Sequence, residues 1–189
     1  EDFNGDGIIS ADDRQHLGNP NPDFTYGVNL NLGYKNFDLS AFFYGSHGAE
    51  LFNIAKTYTY FMGFYPTTNV NRDLLNAWTP DNTDTNIPVV ESQGTFSTTL
   101  APNSFYIENG SFLKLRSLAL GYNVNRDLLQ KISISNLRLY VQAENLLTIT
   151  KYSGLDPEVV GGSTSALGLD RGSYPNNEKS FIFGLSVTF

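Results

Sequence analysis

The sequence has no cysteine, and its 189 residues include only two histidines, one tryptophan and one methionine. Without cysteine, the chain can form neither disulfide bonds nor thiolate metal sites. Its apolar runs are all shorter than the roughly 20 residues that a membrane-spanning helix needs. Charged residues make up 16% of the chain, against roughly 25% in an average soluble domain. These shortages exclude a helical membrane bundle and a disulfide-stabilised module.

The chain also lacks the residue patterns of nucleic-acid-binding proteins and of common enzymes. Its formal net charge is −7 with 12 Lys and Arg residues, and no basic cluster offers phosphate contacts, so we expect no nucleic-acid partner. His16 and His47 lie in loop-like sequence without metal-ligand spacing, and no phosphate-binding or dinucleotide-binding glycine motif occurs. Pro157 separates Asp156 from Glu158, which predicts a rigid turn and not a catalytic carboxylate pair. We therefore expect no enzymatic activity.

Aromatic residues, by contrast, make up 14% of the chain, and many lie in segments where apolar and polar residues alternate. From Tyr26 to Tyr34 every second residue is apolar, and after a tight turn at 35–36 the alternation resumes from Phe37 to Tyr44. Alternation with a period of two predicts strands with one apolar and one polar face. Three more candidate strands cover residues 111–124, 137–144 and 181–189.

The connections between these strands are alternately short and long. The turn at 35–36 and the connection at 125–136 are short, whereas the segments 45–110 and 150–179 are long. In an up-and-down meander this alternation places all short turns on one side and all long loops on the other, as in outer-membrane barrels. We therefore predict an all-β fold, an antiparallel up-and-down segment of a transmembrane β-barrel with long extracellular loops. A barrel needs about eight strands to close, so we expect the chain to be part of a longer polypeptide.

Two alternatives remain open. The chain could instead be a soluble antiparallel sandwich, such as a secreted calcium-binding adhesion module or carbohydrate-binding module, in which the apolar faces would form the core. Within the third strand, Lys114 and Arg116 fall in the same alternation phase as Leu118, Leu120 and Tyr122. Either that charged half rises above the membrane, or a β-bulge shifts its phase.

The long connections contain helix signals and a run of aromatic residues. Apolar spacing between Leu51 and Tyr58 predicts a helix, and residues 70–78 predict a short capped helix that ends before Pro80. The repeat of Asn-Arg-Asp-Leu-Leu at 125–129 predicts another short helix. Loop aromatics can stack on sugar rings or hydrophobic peptide side chains, or they can pack the loop onto itself. The candidates for substrate or partner contact are Tyr58, Tyr60, Phe61, Phe64, Tyr65 and Trp78.

Residues 2–13 match the spacing of a calcium-binding loop, except that the twelfth position holds Asp where an EF-hand has Glu. Gly7 permits the sharp turn, and Ser10 could contact the ion through water. The alternative is that Asn-Gly and Asp-Gly are simply good turn formers. We predict a bound Ca²⁺ here, with side-chain oxygens from Asp2, Asn4, Asp6 and Asp13 and the backbone carbonyl of Ile8 as ligands.

Several blocks, in order along the chain, resemble the SusC/RagA family of TonB-dependent outer-membrane transporters. Each block is short, but their shared order over nearly the whole chain is more specific than any single motif. The blocks are 2–9, 13–20 and 26–30, Phe37-Asp-Leu-Ser, Ala77-Trp-Thr-Pro-Asp-Asn-Thr83, Asn109-Gly-Ser-Phe-Leu-Lys-Leu-Arg116, Leu120-Gly-Tyr122, Ala143-Glu-Asn-Leu-Leu147, Thr150-Lys-Tyr-Ser-Gly-Leu-Asp-Pro-Glu158, Tyr174-Pro175 and the terminal Phe189.

The resemblance implies the last five strands of a plugged barrel of about 22 strands. It assigns residues 1–23 to an extracellular loop and 24–189 to barrel strands and loops, with the plug domain outside this chain. It also implies a SusD-like surface lipoprotein as partner, energy from the TonB system through parts outside this chain, and contact with outer-membrane lipid. The implied function is import of oligosaccharides or peptides across the outer membrane of a Gram-negative cell, without catalysis.

Overall fold

The computed structural model describes residues 2–8, 10–61, 69–91, 102–130, 133–158, 166–172 and 177–189. These residues form two sheets, two short α-helices and three 3-10 helices. The strands are β1 Phe24–Tyr34, β2 Phe37–His47, β3 Glu50–Asn53, β4 Ile107–Asn109, β5 Phe112–Asn123, β6 Asn136–Thr150, β7 Leu169–Asp170 and β8 Ser180–Thr188. The helices are α1 Lys56–Tyr60 and α2 Arg126–Leu129, and the 3-10 helices are Ala11–Asp13, Arg72–Asn76 and Ser104–Tyr106.

The main sheet has five strands in the order β1-β2-β5-β6-β8, and every neighbouring pair is antiparallel. These are the five strands that the sequence predicts, so the up-and-down meander is confirmed. Strand β6 continues to Thr150, six residues past the predicted end. Asn145 has a positive φ of 51°, which interrupts the alternation there and hides the second half of the strand from a search for period two.

The pairing register sorts the main sheet into an apolar and a polar face. Leu30, Ala41, Leu118 and Ala143 lie side by side across four strands, and Leu39, Leu120, Val141 and Phe183 form a second such row. Within the described residues no second sheet covers this apolar face, and Leu32 and Phe183 are 55% and 79% exposed. This exposure argues against the soluble sandwich, in which the same side chains would be buried. None of the described helices is long and apolar enough to cross a membrane.

A bulge resolves the position of the charged residues in β5. Leu115 pairs with Phe43 and Ser117 pairs with Phe42, so Arg116 has no partner on β2. The extra residue shifts the alternation, which returns Leu113 and Leu115 to the apolar face and puts Lys114 on the polar one. Of the two sequence alternatives, the bulge is therefore correct.

The helix predicted between Leu51 and Tyr58 is wrong for its first half. Glu50–Asn53 forms β3, which pairs antiparallel with β4 and parallel with β7 in a three-stranded sheet, and only Lys56–Tyr60 is helical. Pairing with two distant strands overrides the local helical spacing. The other two helices are confirmed as single turns, each capped by the asparagine of the repeated sequence, Asn71 in one and Asn125 in the other.

Candidate functional site in the loop layer

Two long connections, one between β2 and β5 and one between β6 and β8, meet at one end of the strands of the main sheet. We call their described residues, 48–61, 69–91, 102–111, 151–158 and 166–172, the loop layer. It contains the three-stranded sheet, α1 and two of the 3-10 helices. The opposite strand ends are joined by the two-residue turn at 35–36 and by the connection that contains α2. The long connections are therefore concentrated at one end of the strands.

An aromatic cluster forms the core of the loop layer. Tyr60, Phe61 and Tyr106 are buried, with Phe52 stacked on Tyr106 at 5.1 Å between ring centroids. The ring of Phe105 meets Tyr60 edge-on, also at 5.1 Å. The Tyr60 hydroxyl donates to Asp73 over 2.7 Å, and burial followed by this bond raises the pKa of Tyr60 above its usual range. Burial likewise raises the pKa of Tyr106.

A polar cluster centred on Glu108 lies beside the aromatic core. Lys56 Nζ is 2.9 Å from Glu108 Oε1 and donates to the Phe105 carbonyl over 2.7 Å. Ser153 donates to Glu108 through its hydroxyl at 2.7 Å and its backbone N–H at 2.8 Å, and the Asn53 amide donates at 3.0 Å. Burial pushes the pKa of Glu108 up, but these hydrogen bonds outweigh it and hold the pKa below its usual value. Glu108 is therefore a fully engaged anion.

A groove of about 510 Å³ opens between the two clusters. Phe105 and Ile87 give it an apolar side, and Lys56 and Glu108 line it as an ion pair. Asn86 and Ser104 are exposed at its rim. The other described residues that line it are Tyr60 and Ser153.

The segment 152–158, which we call the strut, is the part of the loop layer that bonds to β5 of the main sheet. At one end the Tyr152 hydroxyl donates to Asp170 of β7, and Ser153 bonds to Glu108 of β4. At the other end Lys114 Nζ, fully buried on β5, is 2.7 Å from Asp156 Oδ1 and 2.9 Å from Glu158 Oε2. Burial, followed by the bond to Asp170, raises the pKa of Tyr152 above its usual range.

The charged end of the strut is electrically balanced. Arg116, displaced by the bulge, pairs with Glu158, so two cations face two carboxylates. Asp156 is 6% exposed, and its Oδ2 has no hydrogen-bond partner among the described residues. Loss of the Lys114 ammonium would leave this buried carboxylate without its cation, which is strongly unfavourable. The ion pair therefore holds the strut against β5.

A second charged cluster lies on the polar face of the main sheet, at the strand ends that carry the turn at 35–36. Arg138 of β6 reaches across β5 to Asp38 of β2, with Nε 3.1 Å from Oδ1. Asn123 adds a weaker hydrogen bond to the same oxygen at 3.3 Å. The pair can cross the intervening strand because the residue beneath it is Gly121, where a Cβ would lie 2.4 Å from Arg138 and 2.5 Å from Asp38.

Comparison with known proteins places the chain. No protein-family model matches it. It is 41% identical to TonB-dependent receptor P3 of Formosa agariphila and 31% identical to TonB-dependent receptor SusC of Bacteroides thetaiotaomicron. All of this chain is aligned in both cases, and it spans 18% and 17% of those relatives' lengths. The structure of the RagAB peptide importer in the closed-closed state aligns with 96% of this chain and 19% of that one, with a TM-score of 0.80 and 32% identity. The chain belongs to the SusC/RagA type of TonB-dependent receptors.

Membership in this family confirms the outer membrane as the location and explains the uncovered apolar face of the main sheet. The matched relatives are described as receptors and an importer and not as enzymes. The structure aligned with RagAB contains an open five-stranded sheet, with β1 and β8 at its edges. An open sheet of this kind needs further strands before its edges are satisfied.

The predicted contact aromatics of this SusC/RagA-type chain lie in different surroundings. Tyr60 is 9% exposed, and its ring packs in the aromatic core. Tyr58 and Trp78 are each 42% exposed. Phe64 and Tyr65 lie outside the described residues. Of the four candidates within the described residues, Tyr60 lines the groove, and Phe61 is packed beside it in the core.

The predicted calcium-loop residues are arranged as a compact, self-bonded loop. Asp2 accepts hydrogen bonds from the backbone N–H groups of Gly5 and Gly7, at 2.7 and 2.8 Å. The N–H of Ser10, together with those of Phe3 and Asn4, holds the pKa of Asp13 below its usual value. The remaining side chains also bond within the loop, Asn4 to the N–H of Asp6 and Asp6 to that of Ile8.

Within the described residues, no group of three or more His, Cys, Asp or Glu side chains is assembled to hold a metal ion. The carboxylates of the 2–13 loop instead accept from backbone N–H groups of the same loop. The calcium site therefore stays a prediction, and ion binding would require these oxygens to turn toward a common centre.

Sequence reasoning missed the main polar contacts of the loop layer. Asp156 and Glu158 were expected in a rigid turn, and the structure shows that they form salt bridges with Lys114 and Arg116. A signal for this pairing existed, because two cations interrupted an apolar alternation and two carboxylates lay unassigned in the next long connection. Glu108 carried no such signal, since its partners come from two segments far from it in sequence, at 53–56 and at 153.

Proposed function

We propose that this chain forms part of the wall and mouth of a TonB-dependent importer in the outer membrane. The observation that carries the proposal is the continuous apolar face of the five-stranded sheet, in a chain 41% identical to a TonB-dependent receptor. Strand β1 has 11 residues, which extend about 37 Å at roughly 3.4 Å per residue. Tilted by about 45°, such a strand rises about 26 Å, close to the roughly 25 Å apolar band of outer-membrane barrels.

On this proposal the loop layer lies at the extracellular mouth, and the short turns face the periplasm. The chain would supply the last five strands of a barrel of about 22. The description of RagAB as a peptide importer supports import of peptides by the whole protein, and the SusC/RagA resemblance adds oligosaccharides as the other substrate class. The same resemblance implies a SusD-like surface lipoprotein as partner, and the relatives' description as TonB-dependent receptors supports TonB coupling through segments outside this chain. Import of this kind makes and breaks no covalent bond in the cargo.

The first test uses the full-length parent protein in isolated outer membranes. Folded barrels resist detergent at room temperature and unfold on boiling, so boiled and unboiled samples should migrate differently on a gel. A surface lipoprotein should co-purify with the unboiled form. A parent protein that is recovered without detergent and shows no heat-dependent shift would contradict the proposal and restore the soluble sandwich.

We also propose that the loop of residues 2–13 binds Ca²⁺ in the whole protein. The support is the ligand spacing and the concentration of carboxylate and amide oxygens in one compact turn. Calorimetric titration of the full-length protein with Ca²⁺ should show saturable heat, which Asp2→Asn with Asp6→Asn should abolish. The matched control is Asp84→Asn, an exposed carboxylate in the loop layer. Equal heats from the wild type and the double variant would exclude this site.

A further inference from the structure

We propose that the groove in the loop layer binds a neutral saccharide unit rather than a charged peptide. This inference rests on the proposed importer function and selects between its two substrate classes. It concerns a groove of about 510 Å³, within the range of about 300–1,000 Å³ typical of small-molecule sites. Three features of its lining carry the argument.

The first feature is that the charges in the groove are already satisfied. Lys56 bonds to Glu108 and to the Phe105 carbonyl, and its ammonium lies 4.5 Å from the centre of the Phe105 ring. Glu108 accepts from Lys56, Asn53 and Ser153, and its lowered pKa keeps it ionised. A peptide terminus or a charged side chain that entered the groove would lose water without gaining a free counter-ion, which is unfavourable. A ligand without charge avoids this cost.

The second feature is a pair of neutral polar side chains with free hydrogen-bonding capacity. Asn86 and Ser104 line the groove, and neither side chain bonds to any other described residue. The amide of Asn86 offers donors and an acceptor, and the hydroxyl of Ser104 offers one donor and acceptor sites. Such groups match the vicinal hydroxyls of a sugar, each of which both donates and accepts. The Ser153 hydroxyl donates to Glu108 and accepts from the Asn53 amide at 3.3 Å, which leaves it one acceptor site.

The third feature is an apolar side opposite these polar groups. Phe105 and Ile87 are half-buried and contribute ring and aliphatic surface to the groove. Their positions are fixed, because Phe105 packs edge-on against Tyr60 and both residues contact the aromatic core. A pyranose ring has one face of C–H groups and a periphery of hydroxyls, so it matches an apolar side combined with neutral polar groups. The groove is thus formed before any ligand arrives, which lowers the entropic cost of binding.

The test is binding of the detergent-purified full-length protein to an immobilised panel of neutral oligosaccharides, uronic-acid oligosaccharides and short peptides. We expect retention on neutral oligosaccharides, with affinity unchanged between about 0.05 and about 0.5 M NaCl, because screening acts only between charges. Asn86→Ala with Ser104→Ala should weaken this binding roughly tenfold, as expected for the loss of two hydrogen bonds. Both side chains are exposed and unbonded, so folding should be unaffected. Thr83→Ala, an exposed polar residue of the same loop outside the lining, is the matched control.

Three outcomes overturn the inference. The first is retention on peptides that the double variant loses, the second is retention on neutral saccharides that the double variant keeps, and the third is no retention on the neutral panel. If any of these occurs while the protein remains heat-modifiable and bound to its lipoprotein, the groove assignment is wrong and the importer proposal stands. If heat modifiability and the lipoprotein are also missing, the importer proposal itself has failed.

Discussion

The main sheet exposes most of its large apolar side chains, whereas the loop layer has a buried aromatic core. Leu185 of β8 is 65% exposed, while Leu51 and Tyr106 in the loop layer are 4% and 2% exposed. In the sheet, backbone pairing between neighbouring strands fixes the fold, and the apolar face is left for lipid. In the loop layer, aromatic packing and the Glu108 cluster replace long strands. The two regions are therefore stabilised by different interactions, the main sheet by strand pairing and the loop layer by side-chain contacts.

This difference teaches where each region is vulnerable. A substitution on the apolar face changes contact with lipid, and the strand ladder remains. A substitution in the loop layer removes contacts that no ladder replaces, because its strands are only two to four residues long. We therefore expect the largest single-residue effects where the two regions are joined, at the charged end of the strut.

The largest effect should come from Lys114→Met. Lys114 is fully buried and bonds to Asp156 and Glu158, so its loss leaves Asp156 as an uncompensated buried charge, which costs about 3–5 kcal/mol. We expect the loop layer of the full-length protein to detach from the sheet, with faster proteolysis in residues 151–158. The barrel should remain heat-modifiable. The measurement is limited proteolysis of the folded, membrane-embedded protein, with cleavage sites mapped by mass spectrometry.

Two further variants separate charge from packing at this position. Lys151→Met removes an exposed lysine that neighbours the strut, and proteolysis should be unchanged. Lys114→Met combined with Asp156→Leu removes both members of the buried pair, and it should recover part of the lost protection because no unpaired charge is left at Asp156. Equal protection in the wild type and in Lys114→Met would show that the strut is held by other contacts.

The next effect, within the sheet itself, should come from Gly121→Ala. The added Cβ would lie about 2.4–2.5 Å from Arg138 and Asp38, so the ion pair that crosses β5 has to move. We expect a loss of about 1–3 kcal/mol, typical of overpacking at a tight site. Gly33→Ala is the matched control, because no atom lies within 4 Å of the Cβ position there. The measurement is the temperature at which the folded gel mobility is lost, and equal shifts for both variants would contradict the crossing geometry.

How much the sequence reveals also differs between the two regions. Period-two alternation predicts all five strands of the main sheet, since residues such as Val28 and Leu30 must share a face whatever surrounds them. It fails where the backbone departs from the period, at Arg116 and Asn145. In those two places the pairing partner, and not the strand itself, decides which side chain faces which side.

The loop layer was predictable only where its structure is local. Capping by Asn71 depends on a neighbour two residues away, and the short helix that follows it was predicted. Strand β3 depends on partners more than 50 residues distant, at 107–109 and 169–170, so the local helical spacing was misleading. The groove combines described residues from four segments, and among these lining residues only Tyr60 was a sequence candidate. Non-local contacts of this kind leave no periodic signal.

A smaller effect should appear when the pH is lowered. The pKa of Glu108 lies below its usual value in the folded protein, so its ionised form stabilises the fold above the usual pKa of about 4.3. That contribution is lost as the pH falls through the lowered pKa and Glu108 takes up a proton. We expect protection of the loop layer from hydrogen exchange to decline below about pH 4, while that of β5 and β6 persists. Glu108→Gln should lower protection at neutral pH and flatten the acid dependence. An acid response unchanged by Glu108→Gln would assign the transition to other carboxylates.

The smallest effect compares the same five residues in both regions. The sequence Asn-Arg-Asp-Leu-Leu begins at Asn71 in the loop layer and at Asn125 in the short connection between β5 and β6. Both asparagines accept the N–H two residues later, at 2.9 and 3.2 Å. Asn71 also donates to the buried Tyr60 hydroxyl over 2.9 Å. Asn125→Ala should therefore cost about 0.5–1 kcal/mol as a lost cap, and Asn71→Ala about 1–2 kcal/mol, because a hydrogen bond to a buried group is lost as well. Tyr60→Phe removes that extra bond, so in its presence the difference between the two asparagine variants should vanish. Unfolding midpoints of the four single and double variants measure this difference, and one that persists in the Tyr60→Phe background would mean that Asn71 acts through a contact other than Tyr60.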